Sequence, residues 1–269
     1  MDEGIFVDLF RRRIRNNKNC LVIFTGDTGS GKSYGALRFA EKLDPEFNEK
    51  RIVFTPDKFL EIIRHDKELH SGNVIIFDEA GVGMASREWY SIQNKILSYV
   101  LQTFRFKNLI VIFTVPDFTY IDSQARKLFH FYFETSKILK KSKLCKCKPF
   151  RISVSRRTGK VYYVYPRFSI EGTMIKLTSC FFKLPSLKLR KKYEKLKEAF
   201  ADDLYLKGID SLDKGSKGVL TSDQKLVYEL LKVGLSYKEI AKRINKKPAN
   251  IRTIAYHIKD KGVALPAKR

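Results

Sequence analysis

The stretch FTGDTGSGKS, residues 24–33, limits what this chain can fold into more than any other segment. Gly26, Gly31, Lys32 and Ser33 match the G-x-x-x-x-G-K-S spacing of a phosphate-holding loop, a pattern that has this meaning between a strand and a helix. Both flanks comply. CLVIFT (Cys20 to Thr25) has the short apolar run of a buried parallel strand, and SYGALRFAEKL has helical spacing and stops at Asp44-Pro45. The loop residues Gly26, Asp27, Thr28, Gly29, Ser30, Gly31, Lys32 and Ser33 are expected to converge N–H groups on the α- and β-phosphates, at the positive end of the following helix. Lys32 would reach the β- and γ-phosphates, and the Ser33 hydroxyl would ligate Mg²⁺. The competing reading is a glycine-rich turn without a ligand.

Two further apolar runs follow, RIVFT (Arg51 to Thr55) and NVIIFDEAG (Asn73 to Gly81). The second ends in two carboxylates, which suit two separate tasks: Asp78 would hold Mg²⁺ through water, and Glu79 would polarise the attacking water. An acidic pair closing a strand can also be merely solvated. A strand at Leu109 to Thr114 places Thr114 at a carboxyl end, where α/β proteins bind ligands. That threonine is either a sensor of the γ-phosphate region or a side chain satisfying backbone. LFHFYFET (Leu128 to Thr135) supplies one more strand. Strands alternating with helices predict an α/β, doubly wound sheet of about five mainly parallel strands.

The order of phosphate loop, FDEAG, an Arg-bearing helix and a strand ending FTVP resembles the HerA/FtsK superfamily of DNA-pumping ATPases, including zonular-occludens-toxin-like and viral packaging forms. The intervening strand and Glu79 are similar to the additional-strand catalytic-glutamate division of P-loop ATPases. The resemblance covers roughly residues 21–135. It implies a RecA-like fold, ATP and Mg²⁺ as cofactors, double-stranded DNA as partner and a homo-oligomer of the hexameric-ring kind. It also implies an arginine finger, for which Arg105 and Arg87 are the candidates; each is equally readable as a surface or DNA-facing charge. Val115 departs from the pattern, since many relatives have Gln after the strand-end threonine.

Charge points the same way. With 53 Lys and Arg against 29 Asp and Glu, the net charge of +24 calls for a polyanionic partner, nucleic acid or an acidic membrane surface. The run from Lys137 to Lys160 has no acidic residue. Within it begins FRISVSRRTGKVYYVYPRF, a hairpin pattern near residues 149–168, turning at Thr158-Gly159. With Tyr162, Tyr163 and Tyr165 it could track phosphates and stack on bases, or be an edge hairpin guarded by charge. Cys145 and Cys147 are a weak metal signal and read better as free thiols. The few cysteines, the absence of a signal peptide and the lack of any run near the roughly 18 apolar residues of a membrane span predict a soluble cytoplasmic protein. An archaeal, plasmid or viral origin would suit the resemblance.

Residues 1–182 are thus expected to form the ATPase domain, and residues 183–216 a charged helix and a Gly/Ser-containing linker. Residues 217–269 are expected to form a small all-α helix-turn-helix domain, with capping boxes at Thr221/Gln224 and Ser236/Glu239. Its third helix would present Asn250, Arg252, Thr253 and Tyr256 to bases, with Lys246 and Lys247 on phosphates. A trihelical protein-interaction module is the alternative. Two functions fit the whole chain: a DNA-translocating or packaging ATPase, and an ATP-switched DNA-binding regulator or replication-initiation factor with slow hydrolysis.

Overall fold

The computed structural model describes residues 4–65, 68–78, 108–121, 123–216, 222–260 and 265. The chain divides into two units, Met1–Glu198 and Ala199–Arg269.

In the first unit the strands are β1 (Cys20–Thr25), β2 (Ile52–Val53), β3 (Val74–Phe77), β4 (Ile110–Thr114), β5 (Phe131–Leu139), β6 (Leu144–Val154), β7 (Val161–Val164), β8 (Arg167–Ile170), β9 (Thr173–Lys176) and β10 (Cys180–Phe182). The large sheet runs β10-β6-β5-β1-β4-β3-β2, with β7 also on β6, while β8 and β9 form a separate hairpin. From β5 to β2 every pairing is parallel. The antiparallel strands β6, β7 and β10 extend one side, so the sheet is mixed but largely parallel, compatible with a RecA-like fold.

Every residue of β1 is buried, as a central strand covered on both faces requires. Its side chains alternate between two cores. Val22 and Phe24 point to a cluster filled by α1 (Gly4–Arg15) and α2 (Lys32–Leu43), where Phe24 stacks on Phe133 at 4.8 Å. Leu21 and Ile23 point to the opposite cluster, filled by α3 (Pro56–His65) through Phe59 and Ile63. A short helix, α4 (Ser123–Arg126), precedes β5.

Strand β6 contains Pro149, which cannot donate to a ladder. One edge of β6 pairs with β5 over residues 144–151. On its other edge, residues 145–147 pair with β10 and 151–154 with β7, so Pro149 falls in the gap between them.

Helix α5 (Leu187–Ser216) begins in the first unit and runs through the stretch whose Gly and Ser content reads as a linker. The unit boundary, after Glu198, lies inside it. The second unit packs α6 (Ser222–Lys232), α7 (Tyr237–Arg243) and α8 (Pro248–Asp260) around Val227, Ile240, Ala241, Ile251 and Ile258. Ser236 and Glu239 form the expected capping box on α7; Thr221 lies outside the described residues. Between α7 and α8, Asn245 takes a left-handed conformation, φ 53°. Among the described residues no helix is long and apolar enough to cross a membrane.

Candidate active site

The parallel strands bring the carboxyl ends of β1, β4 and β3 to one edge of the sheet, and with them the loop after Thr25, the strand-end Thr114 and Asp78. The loop's shape depends on glycine. Gly26, Gly29 and Gly31 have φ of 139°, 79° and 97°. A Cβ at Gly26 would fall 2.2 Å from the Thr135 hydroxyl oxygen, and one at Gly31 would lie 3.0 Å from the Cys145 sulfur. The loop is therefore seated directly on β5 and β6. The Thr135 hydroxyl donates to the Thr25 carbonyl at 2.7 Å and so accepts from Ser30 at 2.6 Å; the Cys145 thiol donates to the Ser30 carbonyl at 3.4 Å.

Helix α2 starts at Lys32 without a side-chain cap, because the residue in the cap position is Gly31. An anion can take the cap's place at such a terminus. Asp27, Thr28 and Gly29 are exposed, whereas Ser30 is buried as the loop's anchor. The Lys32 amine bends back to donate to the carbonyls of Gly26 at 2.6 Å and Asp27 at 2.9 Å. Ser33 is half-buried beside it in the first turn of α2.

Asp78 is fully buried and both its oxygens are engaged. Thr114 donates to Oδ1 at 2.6 Å, and Tyr193 of α5 donates to Oδ2, also at 2.6 Å. The Thr114 hydroxyl is thus tied to the strand-end carboxylate. In sequence Tyr193 falls in an apolar stripe with Leu189, Leu196 and Phe200, and its phenol closes the carboxylate off. A single hydroxyl-bearing aromatic in that stripe was the available signal. The N-terminal part of α5 is fastened around this contact. The Ser186 N–H donates to Glu41 at 2.9 Å, Lys192 pairs with Glu49 at 2.5 Å, and Tyr34 of α2 donates to Glu194 at 2.6 Å. Burial, followed by that bond to Glu194, raises the Tyr34 pKa and keeps its proton on.

As a metal site the donor set is suitable: an ionised carboxylate keeps lone pairs beyond the two in use, and Ser33 offers a hydroxyl. Access to Asp78 requires Tyr193 to move. Glu79, Arg87 and Arg105 lie outside the described residues. The expected DNA-reading residues belong to the second unit. Lys247, Asn250, Arg252, Thr253 and Tyr256 are exposed, Lys246 pairs with Asp223, and the Thr253 hydroxyl donates to the Ala249 carbonyl at 3.2 Å. All four cysteines are free and buried, and no metal-binding cluster occurs among the described residues.

No protein-family model matches the chain, and no curated protein matches it. Among solved structures it is similar to the N-terminal domain of zonular occludens toxin from Neisseria meningitidis, at 15% identity and a TM-score of 0.33, over 59% of this chain and 94% of that one.

Proposed function

We propose that this chain is a Mg²⁺-dependent ATP hydrolase acting on DNA, a translocase or packaging-type motor that its C-terminal helices recruit to the duplex. The observation that carries the reading is the uncapped start of α2, where Lys32 and Ser33 follow a loop whose glycines take left-handed and other positive-φ conformations, on the same sheet edge as Asp78. Loop N–H groups and Lys32 would hold the phosphates. Ser33 and Asp78 would hold Mg²⁺, which supplies charge neutralisation on the phosphoryl oxygens. Glu79 would orient and deprotonate water, Thr114 would relay the state of the site to β4, and Arg105 or Arg87 would complete a neighbouring subunit's site. In the second unit, Asn250, Arg252, Thr253 and Tyr256 would meet bases, with Lys246 and Lys247 on phosphates.

One observation favours the second reading, an ATP-switched DNA-binding regulator. Lys32 rests on its own loop and Tyr193 covers Asp78, a closed arrangement in which turnover waits on a conformational step. The deciding experiment is ATP hydrolysis with and without double-stranded DNA across protein concentrations, beside Glu79→Gln. DNA stimulation that steepens with concentration and vanishes in the variant supports the motor. Slow hydrolysis indifferent to DNA, with tight ATP-dependent binding to one sequence, selects the switch.

A further inference from the structure

At the opposite end of the parallel strands from the phosphate loop, the first unit has a cavity of about 690 Å³ between α1, the start of β5, β6 and β8. Its position follows from β1: the loop leaves the strand after Thr25, whereas the cavity-lining His130 accepts a hydrogen bond from the Leu21 N–H, near the strand's beginning. Arg12, Arg13, Lys18, Arg151 and Arg167 line this cavity against one carboxylate, Asp8. Among the described residues none of the five cations forms a salt bridge.

Such a gathering of like charge is unfavourable unless something negative meets it. The negative end of the α1 dipole accounts for Arg12 and Arg13. It does not account for Arg151 and Arg167, which arrive from two other elements. Two groups at the site are already positioned. Arg13 is half-buried and its Nε donates to the Asn19 carbonyl at 2.6 Å. His130, which lines the cavity, accepts the Leu21 N–H on Nδ1 at 3.0 Å, so the neutral ring carries its proton on Nε2 as a donor. Burial, then the charge of Arg13, pushes the His130 pKa down to about 3, so this donor is uncharged at neutral pH.

We propose that this cavity is a second phosphate-binding site, one that takes successive phosphates of a nucleic-acid strand. Arg12, Lys18, Arg151 and Arg167 are exposed and stand on separate segments, a layout that suits a solvated backbone passing across the rim. A small anion would call for donors turned inward and desolvated. Further exposed cations follow in sequence on the same elements, Arg15 at the end of α1 and Arg156 and Arg157 after β6. The inference rests on the proposed function only for the identity of the strand as DNA.

The test uses the full chain, a fluorescent short duplex and its single strand, and the triple variant Arg12→Gln/Arg151→Gln/Arg167→Gln. Expected are weaker binding and a log K against log salt slope shallower by about 2 to 3, one part per lost phosphate contact. ATP hydrolysis without DNA and the melting temperature should stay at wild-type values. Lys at the same three positions should restore the slope, since a backbone contact needs charge; Lys variants as weak as the Gln variants would overturn the proposal. Wild-type affinity in the Gln triple variant, with binding lost in Lys247→Gln/Arg252→Gln, would also overturn it and leave the proposed function standing. A wild-type chain that hydrolyses ATP and binds no nucleic acid would remove both readings. Loss of binding only to vesicles of phosphatidylglycerol and phosphatidylcholine, with DNA binding intact, would assign the cavity to lipid and overturn the nucleic-acid proposal.

Discussion

Tyr193 covers the acid that the fold places just after β3. Its hydroxyl is bonded to a buried carboxylate, and a hydrogen bond to a charged group is worth about 1.5–3 kcal/mol. Tyr193→Phe keeps the ring and removes that bond. The variant should melt lower, yet bind a Mg²⁺-nucleotide about tenfold or more tightly, because closing the site no longer competes with binding. Titration calorimetry beside a thermal melt checks both; unchanged nucleotide affinity would mean that the phenol does not gate the site. His130 sets a second expectation. Its folded pKa of about 3 lies below the ordinary 6.5, so between those values the unfolded chain takes up a proton that the folded chain refuses. Stability from this group is complete above pH 6.5 and is lost as pH falls towards 3. His130→Gln, which keeps an acceptor for Leu21, should flatten the dependence of urea midpoint on pH in that window.

At the scale of elements, the turn after α2 depends on Asp44. Its carboxylate takes Arg51 at 2.8 Å, the Val74 N–H at 2.9 Å and the Asn73 amide at 3.1 Å, all buried, so it joins the end of α2 to the start of β3. Asp44→Asn leaves the Arg51 charge without its partner and should cost about 3–5 kcal/mol in a urea titration. The sequence revealed some of these elements better than others. The runs forming β1, β3 and β4 are apolar but for the threonines that close β1 and β4, because both faces are covered, and that is visible without a structure. The loop was legible for a different reason, since its glycines and Lys32 stand at fixed offsets. β6 was not read as one strand. Lysines alternate with its cysteines, and Pro149 suggests a break that vanishes once two different partners share one edge. α1 was hidden because its buried stripe of Phe6, Val7 and Phe10 is short and runs into arginines. The contact from Tyr193 to Asp78 spans 115 positions, and no local pattern encodes it.

At the scale of the molecule, the two units have separate hydrophobic cores. Calorimetry should resolve two transitions, and Ile251→Asp, which places a charge in the small core, should remove the smaller one and leave the larger in place. A single transition abolished as a whole would show that the units fold as one. The thiols offer a different view of the same chain. Cys145 is hydrogen-bonded to the loop carbonyl of Ser30, and a bond from Cys147 lowers its pKa; burial raises the pKa of Cys147 and pushes that of Cys20 up to about 12. A thiol-specific dye should therefore react in stages, first at Cys145 when the loop lifts from β6, and at the others only on wider unfolding. If nucleotide slows the first stage alone, labelling kinetics become an intrinsic clock for the loop, with the chain supplying its own probe.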